Sequence, residues 1–155
     1  MIKYDLTIIE IIQTVIALGA LVTAAATIIY TKVYTKKSKT ADLLLSLDNN
    51  KELLAAMQVI RGIHYSDRKA DIYAEKQEVE SIEAESLRYV LNHLERIAAC
   101  VEHKIYDYSL IKATQKNRII KTVEVAMPYI SKIRETTSSA EAYVAIERLA
   151  KKLKT

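Results

Sequence analysis

The sequence predicts an all-α protein with one N-terminal transmembrane helix followed by a small cytoplasmic helical bundle. Three observations support this prediction. The 155 residues include only two glycines and one proline, so the residues that interrupt helices are scarce. Residues 11–31 contain no Asp, Glu, Lys or Arg. Beyond residue 40, apolar residues recur at the spacing of about 3.6 that marks one face of a helix, and no strand alternation competes with it.

The uncharged segment 11–31 has the length of a membrane span. At about 1.5 Å per residue it forms about 31 Å of helix, which matches the hydrocarbon core of a bilayer. Tyr4 precedes it, and Tyr30 and Tyr34 follow at the level where amphipathic rings favour lipid headgroups. A buried core helix and a signal peptide cleaved near Ala24-Ala25-Ala26 are the alternatives. We expect the span, because the apolar run continues beyond those alanines and about 100 further residues would have to wrap a core helix.

The charges on either side of this segment predict its orientation. Residues 1–31 carry a net charge of −1, whereas residues 32–41 carry +4 and no acid. Because cytoplasmic flanks are rich in Lys and Arg, the N-terminus is expected outside and the remaining chain inside the inner membrane. We therefore divide the chain into an N-terminus and span (1–31), a basic juxtamembrane linker (32–41) and a cytoplasmic domain (42–155). The predicted contacts with anionic headgroups are Lys32, Lys36, Lys37 and Lys39, together with Tyr30 and Tyr34.

Small and polar residues follow a heptad spacing along the predicted span. We call them the seam: Gln13, Ala17, Ala20, Ala24, Thr27 and Thr31. Close backbone approach and hydrogen bonds drive helix association in lipid, because burial of apolar area gains little there. The seam therefore predicts a homo-oligomer. The alternative is a single anchor in which alanine and threonine are merely tolerated.

The first part of the cytoplasmic domain predicts two helices and an acidic segment. Residues 41–47 form a short apolar helix, and 48–50 read Asp-Asn-Asn, residue types that begin helices well. A second helix covers 53–65, where apolar residues follow the helical period. The segment 71–85 carries six acids and one base. We expect this segment to be partly helical and well solvated.

The widest apolar stripe predicts the next helix, 86–104. Its members are Leu87, Val90, Leu91, Leu94, Ile97, Ala98 and Val101. Residues 105–109 end this helix, and Ser109 is expected to cap the following one, 110–125. Pro128 is expected to end or kink that helix, because proline removes a backbone donor.

The last helix is expected to begin at a capping box formed by Ser138 and Glu141 and to run to about residue 153. Basic residues lie in its final turns, where their positive charges interact favourably with the helix dipole. Residues 110–155 carry a net charge of +6, against −4 for residues 67–85. These regions are expected to pair within the chain or between copies, or to form two separately solvated faces.

Several stretches of this sequence resemble one known family. They read LLLSLD at 43–48, YVLNHLERIA at 89–98 and IYD at 105–107, after an apolar helix and a basic linker. In these respects the chain is similar to the bacterial and phage-associated domain of unknown function 4760 family. The resemblance implies a membrane-tethered helical domain and suggests a phage- or prophage-linked setting. It carries over no activity and no catalytic residue.

The sequence predicts no catalytic, cofactor-binding or metal-binding site. With two glycines there is no phosphate-cradling loop. Cys100, Glu102 and His103 lie close together, but no second group of metal ligands accompanies them. Residues 64–67 contain His, Ser and Asp too close in sequence for a catalytic triad. Glu95 is expected to form an ion pair or a helix cap, with general acid–base chemistry as the alternative.

These observations predict a binding protein rather than an enzyme. We expect a membrane-anchored interaction module that self-associates, recruits a protein partner, or does both. Nucleic acid is not an expected partner, because aromatic residues that stack on bases are sparse. The alternative from another class is a holin-like, pore-forming oligomer, in which Gln13, Thr27 and Thr31 line a path through the membrane.

Overall fold

A computed structural model describes residues 2–66, 69–137 and 139–155, with side chains from residue 8 onwards. In these ranges it has no strand, which confirms the all-α prediction. It has five α-helices and a 3₁₀ helix: α1 (Ile2–Asn49), α2 (Lys51–Tyr65), the 3₁₀ helix (Ala70–Ala74), α3 (Ile82–Glu102), α4 (Tyr108–Thr137) and α5 (Val144–Lys154). The chain divides into two compact units, Met1–Ser38 and Lys39–Thr155.

Helix α1 is longer than predicted and includes the residues expected to form a basic linker. It continues without a break through 32–41 and through the apolar stretch 41–47 to Asn49. The reason is local, since no glycine or proline stands between Gly19 and Asn49 and lysine is a good helix former. Its last turns contribute to the core of the second unit, where Thr40 and Leu47 are buried.

Helix α2 begins where the sequence predicts a cap. The side chain of Asn50 accepts a hydrogen bond from the backbone N–H of Leu53 at 2.9 Å. The same side chain donates to the Tyr89 hydroxyl of α3 at 3.3 Å. At the other end, the Ser66 hydroxyl donates to the carbonyl of Ile63 at 2.9 Å. The helix is thus closed by polar side chains at both ends, as the orphan groups of helix termini require.

The acidic segment is only partly helical, as expected. It contains the 3₁₀ helix and a run of turns over 76–80, and α3 then begins at Ile82, four residues earlier than predicted. The reason is the cap, because the Ser81 hydroxyl accepts from the backbone N–H of Ala84 at 3.2 Å. Glu83 and Glu85 lie in the first turn, where acids favour the helix dipole.

Helix α3 ends in a Schellman motif built on a lysine. Lys104 has a φ of 60°, and its backbone N–H donates to the carbonyl of Val101 at 3.1 Å. The N–H of Ile105 donates to the carbonyl of Cys100 at 2.8 Å. This pair of hydrogen bonds defines the motif, whose left-handed position is most often occupied by glycine.

The cap of α4 and its end both differ from the prediction. Its cap is Asp107 rather than Ser109, because the Asp107 carboxylate accepts from the backbone N–H groups of Ser109 at 3.0 Å and Leu110 at 3.1 Å. Ser109 itself lies inside the helix. Pro128 also lies inside and does not end it. The next residues, Tyr129 and Ile130, are fully buried, and their packing offsets the hydrogen bond that proline removes.

Helix α5 begins later than predicted. Glu141 lies in a turn over 140–143, before the helix, and Ser138 lies outside the described residues. Tyr143 takes the left-handed conformation with a φ of 62° and makes no side-chain cap. The predicted capping box is therefore wrong at Glu141, because the left-handed residue separates it from the helix that it was expected to open.

One core holds the second unit together. It is formed by the buried faces of α2 to α5, the 3₁₀ helix and Leu47 of α1. Helix α2 packs on α3 and α4, α5 packs on the same two helices, and the 3₁₀ helix packs on α4. All the residues of the predicted α3 stripe are buried. The helices therefore sit in the bundle with the faces that their periodicity predicts.

Candidate membrane-spanning and interaction surfaces

The apolar part of α1 lies fully exposed. Its most apolar window has a mean hydropathy of 2.1 and none of it is buried, so α1 is long and apolar enough to cross a membrane. Large apolar side chains such as Leu21 and Val22 are 67% and 66% exposed. A helix buried in the core would be covered on this surface. The alternative of a buried core helix is therefore wrong for the described residues. Exposed apolar surface of this extent marks a contact with lipid or protein.

The seam forms one exposed stripe on α1. At 100° per residue its six members fall within about 80° of the helix circumference, over about 27 Å of length. Each of them is exposed. The Thr27 hydroxyl donates to the carbonyl of Thr23 within the same helix at 2.8 Å. Its only donor is thus used internally, which lets a hydroxyl lie in an apolar medium at little cost.

Aromatic and basic side chains follow the apolar window. The rings of Tyr30 and Tyr34 stack with centroids 6.2 Å apart and an interplanar angle of 14°. Lys32, Lys37 and Lys39 are exposed, whereas Lys36 is half-buried. Tyr4, expected at the other end, lies outside the residues whose side chains are described. The four lysines and two tyrosines thus occupy about three turns of one helix.

Glu95 joins α3 to the start of α5. Its Oε1 accepts from the backbone N–H of Ala145 at 3.0 Å, and its Oε2 accepts from that of Ile146 at 2.8 Å. The first N–H groups of a helix have no partner within it, and a carboxylate there also favours the dipole. Glu95 is therefore a helix cap, the structural alternative that the sequence had left open.

A polar cluster lies around this cap. The pKa of Tyr143 is raised, chiefly because burial disfavours the phenolate, and nearby Tyr129 and Glu95 add to the effect. The pKa of Tyr129 is also raised by burial, against the hydrogen bond and positive charge of Arg88. The Arg88 guanidinium in turn donates to the carbonyl of Val79 at 2.7 Å. These charged and phenolic groups thus influence one another around the cap.

The acidic segment makes no ion pair with the basic C-terminal half among the described residues. The basic side chains there bind other acids: Arg118 with Asp48, Arg134 with Glu147, Arg148 with Glu102 and Lys154 with Glu124. Pairing of the two regions within the chain, one of the expected arrangements, is therefore not found. The segment also presents Val79 and Ile82, which are 40% and 70% exposed, between its glutamates. Apolar residues rimmed by charge are typical of a protein contact surface.

The residues considered for chemistry do not form one site among the described residues. Glu102 holds Arg148 by two hydrogen bonds of 2.8 and 2.9 Å, and this contact lowers the pKa of Glu102. Cys100 is half-buried. Within the described ranges, no group of three or more His, Cys, Asp and Glu residues is placed to hold a metal ion. His64 is exposed beside Tyr65, and Asp67 lies outside the described residues.

Sequence reasoning missed a cleft between α2 and α4. It has a volume of about 520 Å³, and the basic side chains that line it are Arg61, His64, Arg118 and Lys121. The sequence does carry a signal, because these are two pairs spaced three residues apart, and residues at that spacing share a helix face. The signal is incomplete, because the sequence does not tell which faces of α2 and α4 meet.

Comparison with known proteins gives one match. The model of the family described as Domain of unknown function (DUF4760) matches residues 14–153, nearly the whole chain. No curated protein matches the chain, and no solved structure matches it.

Proposed function

Because the chain belongs to the DUF4760 family, whose description assigns no activity, we propose a function from its own surfaces. The protein is a membrane-anchored helical interaction module. It self-associates through the seam in the membrane and recruits a protein partner through its helical domain. The proposal assigns no catalytic residue, cofactor or metal.

The observation that carries the proposal is the exposed seam. Small residues let two helix backbones approach closely, and Gln13 offers an amide that bonds across the pair. The side chains of Ile and Leu lie mostly on other faces of α1, where lipid would contact them. All of these faces are exposed, so a second copy has access to the whole stripe.

The proposed location is the inner membrane of a bacterium, with the N-terminus outside and the helical domain in the cytoplasm. The charge difference across the apolar window supports this orientation, since the basic side of a span faces the cytoplasm. The lysines at 32, 36, 37 and 39 would then lie near anionic headgroups, each contributing about 1 kcal/mol.

The proposed partner surface is the part of the acidic segment that covers residues 75–85. Its glutamates form no ion pair with a described residue, and two apolar side chains, Val79 and Ile82, lie exposed among them. A partner with a basic rim and an apolar centre would complement this surface. The partner would thereby be held at the cytoplasmic side of the membrane.

Energy transfer between labelled copies in phosphatidylcholine vesicles tests the seam. The label is attached at Thr155→Cys in a Cys100→Ser background, and lipid is added to dilute the protein. We expect the double variant Ala20→Ile and Ala24→Ile to weaken association about fivefold or more, or about 1 kcal/mol, because bulky side chains separate the backbones. The matched control is Ala25→Ile with Ala26→Ile, which adds the same atoms on other faces of α1.

The two doubles separate the possible outcomes. If neither double variant weakens association relative to the wild type, the seam is contradicted. It is also contradicted if both weaken association to the same extent. A wild-type chain that stays monomeric at every lipid dilution removes self-association and leaves only recruitment. N-terminal sequencing of the purified protein addresses the signal-peptide alternative, because a chain that begins after Ala26 has no anchor.

A holin-like pore remains the alternative function. Dye release from vesicles distinguishes it, since a pore releases small dyes whereas an anchor that only pairs leaves the vesicles intact. Release that depends on Gln13 and Thr31 would support the pore instead.

A further inference from the structure

The cleft between α2 and α4 combines a basic side with an apolar one. Arg61 and His64 reach it from α2, and Arg118 and Lys121 from α4. Leu54, Met57 and Val125 supply apolar surface in the same cleft. Its volume of about 520 Å³ falls in the range of small-molecule sites, about 300–1,000 Å³. None of the described residues that line the cleft is acidic.

The hydrogen bonding of Arg118 gives a further argument for a ligand, independent of the volume of the cleft. Its side chain is 37% exposed, but its Nη1 is buried and has no hydrogen-bond acceptor among the described residues. The nearest carboxylate oxygen, Oδ1 of Asp48, is 3.8 Å away, which is too long for a hydrogen bond. A buried donor without an acceptor costs free energy, and a turn of the guanidinium toward an anion in the cleft would recover that cost.

We propose that this cleft binds an organic phosphate. Arg118 and Lys121 of α4, together with Arg61 of α2, hold the phosphate group, and Leu54, Met57 and Val125 contact the organic part. A guanidinium presents several donors in a plane that matches phosphate oxygens, and an ammonium adds a point charge. The rings of His64 and Tyr65, with centroids 5.0 Å apart and planes tilted by 60°, also line the cleft, and either ring can contact a planar group.

The charge around the cleft favours an anion over a cation or a neutral ligand. The three bases line one cleft, and an exposed pair such as Arg118 with Asp48 gains little free energy. A phosphate oxygen within hydrogen-bond distance of the Arg118 guanidinium replaces that weak contact with a charge-assisted hydrogen bond. Asp48 therefore competes with the ligand, and its removal is expected to strengthen binding.

The test measures binding by calorimetry with the full chain in phosphatidylcholine nanodiscs. The probes are AMP, inorganic phosphate and adenosine. We expect AMP to bind, inorganic phosphate to bind more weakly, and adenosine to give no heat. Arg118→Gln and, separately, Lys121→Gln should each lower the affinity for AMP about tenfold or more, since hydrogen bonds to charged groups are the strong ones.

Two variants serve as matched comparisons. Lys51→Gln removes the same charge from an exposed position of α2 outside the cleft, and it should leave the affinity within about twofold. Asp48→Asn should raise it. Lys121 is exposed, so Lys121→Gln remains decisive if Arg118→Gln disturbs the fold, which circular dichroism reports.

Nanodiscs that contain phosphatidylglycerol distinguish a soluble phosphate from a lipid headgroup. Loss of AMP binding in these discs, with thermal stabilisation of the chain that depends on Arg118 and Lys121, assigns the cleft to the headgroup. Unchanged AMP binding assigns it to a soluble compound. The proposal is overturned if neither AMP nor phosphatidylglycerol gives a response that depends on Lys121 and, where the variant folds, on Arg118. It is also overturned if adenosine binds as well as AMP does.

Discussion

At the residue scale, the carboxylate of Glu95 replaces a cap that α5 lacks in its own sequence. Glu95→Gln removes the charge and one acceptor, so we expect the free energy of unfolding to fall by about 1 kcal/mol. Urea unfolding of the full chain in nanodiscs, followed by circular dichroism, measures it. Glu75→Gln is the control, because Glu75 is exposed, lies outside the α-helices and forms no ion pair with a described residue. Equal losses for the two variants would contradict the assignment of the cap.

The lowered pKa of His93 predicts how the stability of the fold depends on pH. Its pKa is lowered, first by burial and then by the charge of Arg96, and its Nε2 is buried without a partner among the described residues. The unfolded chain therefore takes up a proton near pH 6.5, whereas the folded chain takes it up only at lower pH. Stability is thus full above about pH 6.5 and falls as the pH drops from there to the folded pKa.

Thermal unfolding at about pH 7.5 and about pH 5.5 measures this dependence. We expect the melting temperature of His93→Gln to change less between the two pH values than that of the wild type, because the substitution removes the titrating group. His64→Gln is the matched control, since it makes the same replacement at an exposed histidine. A His93→Gln variant that follows the wild type at both pH values would show that other groups govern it.

At the scale of elements, the end of α3 contains a residue in an unfavourable conformation. Lys104 has a positive φ, which costs most residues about 1 kcal/mol relative to glycine. We expect Lys104→Gly to raise the free energy of unfolding by about 0.5–1 kcal/mol. Lys121→Gly, inside α4, should lower it by about 1 kcal/mol, because glycine weakens a helix interior. Opposite signs in urea unfolding are the expected result, and a loss at both positions contradicts the motif.

The periodicity of apolar residues predicted where the helices of the bundle lie, because burial repeats with the turn of a helix. It did not predict where they end. Helix α4 passes Pro128 because Tyr129 and Ile130 are buried by other elements. Helix α5 begins at Val144 because the amide acceptors come from Glu95, about fifty residues earlier in the chain. Such contacts join segments that are distant in sequence, so no local sequence pattern predicts them.

The sequence likewise predicted one of the candidate surfaces and missed the others. The seam was predictable residue by residue, since all six members lie on one helix and their spacing alone sets their face. The cleft was not, because Arg61 and Arg118 belong to helices whose packing the sequence leaves open. The exposed Val79 and Ile82 also escaped prediction. Val79 lies in a turn and Ile82 is the first residue of α3, so the helical period of the sequence predicts the exposure of neither.

At the scale of the whole molecule, the average composition conceals two different parts. The mean hydropathy of the chain is +0.02, whereas the window in α1 reaches 2.1. The net charge of +4 likewise includes +4 from residues 32–41 alone. What resembles a mildly basic soluble protein is therefore an apolar helix beside a basic stretch, followed by a helical domain with little net charge.

This charge distribution predicts the sidedness of the protein in a cell. In a Cys100→Ser background, Thr155→Cys should resist a membrane-impermeant maleimide in intact spheroplasts and react after lysis, because the basic flank keeps that side in the cytoplasm. Replacement of Lys32, Lys36, Lys37 and Lys39 by Gln should increase its labelling in intact spheroplasts. Ile2→Cys in the same background is the control and should show the opposite pattern. Labelling of Thr155→Cys before lysis would contradict the orientation.

The cap on α5 also gives two amide protons a particular value as reporters. In an isolated helix the first-turn N–H groups exchange readily with solvent, since nothing within the helix accepts their hydrogen bonds. Those of Ala145 and Ile146 are instead bound by a side chain of α3. Their deuterium uptake therefore requires α5 to separate from α3, and its rate measures how often the bundle opens locally without unfolding as a whole.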